Sequence, residues 1–282
     1  MTVHTGPGGE PANNPHAPEL ASRQTPTMTD VLACELMPLG TKTPRLGVDW
    51  TQRPSRYLTI DGKPAYRIAY SCGTCGLVLR RQPGATAGPP PAEEVRDRLS
   101  TGLDTLDSEI IGAFSAQLPH GDYLVMLLDV QPRLVTPGSA DDYFAAEGPS
   151  AWRNEEFEYP LDPANTGYYR LGRNRVNEHD ELFQFAVPIT DPAQADPATT
   201  DRYASAADSH PTAVALGLLD IQGPWFRRER HWGLFHYLLD GHHKTAAAAG
   251  RTVRLLTFIS ATESFATEAE LLQLPETLQA EE

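Results

Sequence analysis

From Thr212 to Ser260 the chain alternates strand-length apolar runs with turns and one short Ala-rich helix. Thr212 to Ile221 is a first strand. Phe235-His236-Tyr237-Leu238-Leu239 is a second, ended by Asp240-Gly241. His242-His243-Lys244 opens a helix that runs through Thr245 and the alanines to Gly250, and Val253 to Ile259 is a third strand. Apolar runs this short must find backbone partners in neighbouring strands, so this part of the chain is committed to a sheet with a helix against it.

Upstream, the punctuation is denser. The chain has 25 Pro and 22 Gly, which leaves little room for long uninterrupted helices. Tyr57-Leu58-Thr59-Ile60 and Ala65 to Tyr70 flank Asp61-Gly62, a pair that adopts the positive φ angles of a tight hairpin turn. Val95, Leu99, Leu103, Leu106, Ile110 and Phe114 recur at helical steps and predict one long amphipathic helix. Tyr123 to Val130, Tyr168 to Leu171 and Leu182 to Val187 are further strands. The fold class expected is α+β: a mostly antiparallel β region at residues 29–190, then a small α/β module at 209–282. Residues 191–208, rich in Pro, Ala and Asp, are expected to link them, and 1–28, poor in apolar residues, to be a disordered tail.

The charge balance, 23 − 37 = −14, disfavours nucleic acid and anionic lipid as partners. A small-molecule substrate or a protein partner is expected instead. Residues 1–29 show no apolar run of the secretory kind, and no stretch of about 18 apolar residues occurs. Three cysteines do not make a disulfide framework. The expectation is a soluble cytoplasmic protein.

At the second strand's end, Asp240 is placed to cap the helix or to serve as a base or cation ligand. Gly241 lets a ligand approach the backbone, and His242, His243 and Lys244 present donors over a helix start, a place suited to phosphate. Asp220 offers a second carboxylate for acid/base or magnesium chemistry. Arg227-Arg228-Glu229-Arg230 is a basic cluster, and Arg228 is a candidate to complete a phosphate site.

These residues resemble the ParB/sulfiredoxin-like superfamily over Thr212 to Ser260. Its members place a strand, a DGHHR-type turn and a short helix before the next strand, and bind nucleotide phosphates at the turn. The resemblance implies a phosphate-contacting role for Gly241, His243 and Lys244, and ATP or another nucleotide with magnesium as cofactor. Lys244 stands where the family carries Arg, losing the planar fork that grips phosphate bidentately. The turn contains no Cys, which excludes sulfiredoxin chemistry. The expected activity is that of an intracellular nucleotide-binding protein, a phosphotransferase or nucleotide hydrolase acting on a small metabolite.

Two alternatives stay open. Cys72-Gly73-Thr74-Cys75-Gly76 between strand-like segments resembles half a zinc ribbon, with Cys34 a candidate third zinc ligand. A metal-free turn and a redox dithiol fit the same residues, and the knuckle also suits a non-enzymatic protein-interaction module. His231, His236, His242 and His243 fall within thirteen residues and suggest a metal-dependent hydrolase. No Walker loop, no helix-opening GxGxxG and no GxSxG occurs.

Overall fold

A computed structural model describes residues 29–51, 56–68, 77–83, 91–148, 167–190, 196–205, 210–223, 228–248 and 250–280. The strands are β1 (Asp30–Leu39), β2 (Leu46–Asp49), β3 (Arg56–Ile60), β4 (Lys63–Ile68), β5 (Arg80–Arg81) and β6 (Gly121–Val130). They continue with β7 (Arg133–Val135), β8 (Tyr168–Arg175), β9 (Glu181–Pro188), β10 (Thr212–Gln222), β11 (His231–Asp240) and β12 (Val253–Ser260). The helices are α1 (Glu93–Thr101), α2 (Ser108–Ser115), α3 (Pro197–Ser205), α4 (His242–Ala247), α5 (Glu268–Leu272) and α6 (Leu274–Gln279). A π-helical turn covers Tyr143–Glu147.

Strands dominate this mixed fold. Eight of them form one sheet in the order β1-β6-β12-β10-β11-β9-β8-β7, and β2-β3-β4-β5 form a second. The larger sheet is antiparallel except where β10 pairs with β12 and β11 with β9. Strands from residues 29–190 flank β10, β11 and β12 on both sides, so the segments expected as two modules share a single sheet.

Alternation along the strands makes two apolar faces. Val214, Leu216 and Leu218 of β10, Phe235 and Tyr237 of β11, and Leu256 and Phe258 of β12 line an inner face. The small sheet packs here through Leu58, Ile60, Tyr66 and Ile68, with Leu99 of α1 and Ile110 and Phe114 of α2. The outer face, with Leu219, Leu234, Leu238 and Leu255, is covered by Leu271, Leu274 and Leu278 of the C-terminal helices. Burying each such side chain favours folding by about 1.5–3 kcal/mol.

The Asp61-Gly62 turn forms as the sequence predicts, with φ of 50° and 73° at its two residues. The long helix does not. The stripe from Val95 to Phe114 is divided at Gly102, whose φ is 100° and whose Cα lies so close to the His210 carbonyl that an added Cβ would sit 2.3 Å from its oxygen. Asp107 then caps α2, its carboxylate accepting from the Glu109 and Ile110 N–H groups. Helical spacing survives across the break because both helices turn the same face inward.

Candidate functional site

The Asp240–Lys244 turn is held together by its own side chains. Gly241, at φ 90° and ψ 22°, caps α4 with no side-chain cap, so Asp240 does not play the capping role its position suggests. A Cβ on Gly241 would lie 2.7 Å from that of Ala213, which fixes glycine here by contact as well as by conformation. The Lys244 ammonium is buried. It donates to the Asp240 carboxylate and to the Thr212 carbonyl, each at 3.0 Å. His242 Nε2 accepts from the Ile189 and Thr190 N–H groups at 3.1 and 3.2 Å, and burial lowers its pKa to about 4. His243 Nε2 accepts from the Asp196 N–H at 3.0 Å. Two imidazoles and one ammonium thus tie the end of β11 to the start of β10, the end of β9 and the approach to α3.

Asp220 lies elsewhere. Asp240 pairs in register with Val214, and Asp220 lies six positions farther along β10, about 20 Å at strand spacing. The two carboxylates therefore cannot share one magnesium ion or one acid/base step. Arg228 is exposed at the Asp220 end of the strand pair, remote from the turn, and Arg227 lies outside the described residues.

The four clustered histidines also part company. His236 faces the outer layer, where Nδ1 meets the Thr257 hydroxyl at 2.9 Å across Gly217. Its pKa is lowered to about 3 by burial. His231 faces the inner layer, its Nδ1 2.6 Å from the Tyr143 hydroxyl on the π-helical turn. Burial lowers its pKa to about 4. Among the described residues no three His, Cys, Asp or Glu side chains gather as a metal-ligand set. Cys34 is exposed on β1, while Cys72 and Cys75 lie outside the described residues. The flanks of that knuckle do meet, as β4 and β5 pair antiparallel, Tyr66 opposite Arg81.

What the fold does assemble is a polar seam between the two sheets. Arg56, the first residue of β3, is 1% exposed, and Asp220 on β10 is 0% exposed. Their side chains form an ion pair through Nη2 and Oδ1. Arg56 Nη1 donates to the Glu263 carbonyl at 2.6 Å, and the guanidinium lies 4.7 Å from the centre of the Trp50 ring. Desolvation pulls the Arg56 pKa down to about 10. Asp220 Oδ1 also accepts from the Phe265 N–H at 3.3 Å.

Farther along the sheet, in register with Leu216, Tyr237 is fully buried, its ring 5.5 Å from that of Tyr66, which donates its hydroxyl to the Pro188 carbonyl. Burial raises the Tyr237 pKa, and the Arg56 charge opposes that rise. Gln222 follows Asp220 on the same face of β10 and sits opposite His231. Three buried polar atoms here have no partner among the described residues, Arg56 Nε, Asp220 Oδ2 and Gln222 Nε2; the Tyr237 hydroxyl, also unpartnered, lies farther along β11. Elsewhere the unpartnered atoms are His236 Nε2 and the facing Asp129 Oδ1 and Arg254 Nε, 3.5 Å apart.

Of the seam, sequence reading named Asp220 and, for other reasons, His231. Arg56 and Gln222 were passed over. The signal for Gln222 was available, since Asp220 and Gln222 are polar at alternate positions of an otherwise apolar strand, and so share a face. Comparison with family models, with curated proteins and with solved structures returns no match for this chain.

Proposed function

We propose that the chain is a binding protein for a small polar molecule, held between the sheets against Arg56, Asp220 and Gln222. The observation that supports this is that three unpartnered buried atoms, Arg56 Nε, Asp220 Oδ2 and Gln222 Nε2, belong to the ion pair and to the next inward residue of the same strand. Each such atom costs roughly 1–3 kcal/mol while it lacks a partner. The set is chemically mixed: two nitrogen donors and one carboxylate acceptor. A molecule carrying both an anionic acceptor and a hydrogen-bond donor, as a free amino acid does, matches Arg56 and Asp220 together. Ordered water is the competing occupant.

A nucleotide phosphate at the turn, which the ParB/sulfiredoxin resemblance suggests, would have to draw Lys244 from both its partners and His242 from two backbone donors. Thermal unfolding separates these readings. Wild type is to be scanned with free amino acids and dicarboxylates, and in parallel with ATP, CTP and GTP plus magnesium. A ligand at about 100 times its Kd adds about 2.7 kcal/mol. The expected result is stabilisation by a zwitterion or dicarboxylate that Arg56→Met/Asp220→Leu abolishes and Lys244→Met retains. Stabilisation by a nucleotide, lost in Lys244→Met, would move the site to the turn. Indifference to every compound would leave the seam hydrated and structural.

A further inference from the structure

The long strand β1 forms one border of the eight-stranded sheet, with β6 its one strand neighbour among the described residues; near its start the Gln279 amide of α6 donates to the Val31 carbonyl at 3.3 Å. The direction of its backbone groups follows from the next strand pair. Ala261, just past β12, donates to the Asp122 carbonyl at 2.9 Å, so Asp122 turns its backbone toward β12 and away from β1. Asp122 is in register with Pro38, Leu124 with Leu36 and Met126 with Cys34. Hydrogen-bonded and non-bonded pairs alternate along an antiparallel ladder. The backbone groups of Cys34, Leu36 and Pro38 therefore point outward to the open edge. Pro38, which has no N–H to give, sits where none is needed by β6.

That edge has a definite chemistry. Leu32 and Leu36 are each 41% exposed. Asp30, Glu35 and Asp122 are exposed beside them. Ion pairs elsewhere, such as Arg133–Asp141, Arg173–Glu181 and Arg254–Asp104, leave these three acids without a basic partner among the described residues. From residue 24 to residue 44 the chain carries a single basic residue, Lys42. Open backbone groups, exposed leucines and the carboxylates of Asp30 and Glu35 occur together along β1, with Asp122 of β6 opposite Pro38.

We propose that β1 takes up an extended segment of a partner protein as a ninth strand, a segment in which basic residues alternate with aliphatic ones. Main-chain hydrogen bonds to Cys34 and Leu36 would give the register, the leucines would supply apolar contact, and Asp30, Glu35 and Asp122 would select for lysine or arginine. A second copy of this chain is a poorer occupant, because it would bring acidic residues against acidic ones on a chain already at −14.

The test uses the full chain and a capped octapeptide alternating lysine with valine and leucine, followed by fluorescence anisotropy. Its counterpart with glutamate for lysine is the control. Leu36→Pro is the decisive variant, since it deletes an outward N–H and spares the β1–β6 ladder; circular dichroism and Tm confirm its fold. The expected result is binding of the lysine peptide alone, weakened at least tenfold by Leu36→Pro. Equal binding by wild type and Leu36→Pro would reduce the contact to general charge attraction and overturn the proposal. So would no binding at all, or a wild-type dimer in sedimentation that Leu36→Pro dissociates.

Discussion

The turn at Asp240–Lys244 and the seam at Arg56–Asp220 both hold a buried cation against a carboxylate, and they treat it oppositely. At the turn the Lys244 ammonium has a carboxylate and a carbonyl, and the histidine acceptors have backbone donors. At the seam the ion pair is more deeply buried, yet each partner keeps an atom unsatisfied, and so does Gln222, two positions from Asp220. A finished polar network stabilises and specifies a fold, whereas a half-satisfied one leaves room for an ordered water, an ion or a ligand. Residue types that suggest chemistry in a sequence are thus, at the turn, a clasp between strands. Chemistry remains open where the sequence showed only one aspartate in an apolar strand.

Acid should produce the largest effect, and it samples both regions. His242 belongs to the turn and His231 borders the seam. Both have pKa values lowered to about 4 from an ordinary 6.5. His236, behind the sheet, is lowered to about 3. Because the folded protein resists these protons and the unfolded chain accepts them, stability is complete above about pH 6.5 and lost progressively as pH falls toward 4. Tm measured across that window should drop steeply. His242→Gln, which keeps an acceptor for Ile189 and Thr190, should flatten the slope, and an unchanged profile would show that His242 is protonated in the folded protein.

Next comes Arg56→Met. It leaves Asp220 as an uncompensated buried charge, and denaturant unfolding should report a loss of about 3–5 kcal/mol. Lys244→Met should cost less, about 1.5–3 kcal/mol, because the Asp240 side chain is 20% exposed and can turn to water. If the two losses are equal, the contrast between a wet clasp and a dry seam is lost. The smallest effect is expected at the Asp61-Gly62 turn. Gly62→Ala meets open space at a φ of 73°, so only backbone strain opposes it, on the order of 1 kcal/mol.

Much of the fold was legible because it rests on local rules. Asp61-Gly62 dictated a hairpin, and Pro188 closed β9. Alternation placed Phe235 and Tyr237 on one face of β11 and Leu238 on the other. The break at Gly102 was not legible, since its cause is the carbonyl of His210, more than a hundred residues away. Nor was the separation of Asp220 from Asp240, which depends on β10 and β11 running antiparallel over their whole length. Arg56 was invisible as a site residue for the same reason. Its partner lies 164 positions along the chain and in the other sheet.

The central claim is that the seam is kept for binding and not for stability, and Arg56→Met/Asp220→Leu addresses it directly. Removing both charges leaves the Phe265 N–H still bonded to the Leu219 carbonyl and exposes the half-buried Glu263 carbonyl to water. Buried ion pairs replaced by apolar residues of similar volume are often neutral or stabilised by about 1–4 kcal/mol. Denaturant unfolding of the double variant should therefore show stability equal to or above that of wild type. A loss of several kcal/mol, close to that of Arg56→Met alone, would mean that the pair holds the two sheets together and would contradict the claim.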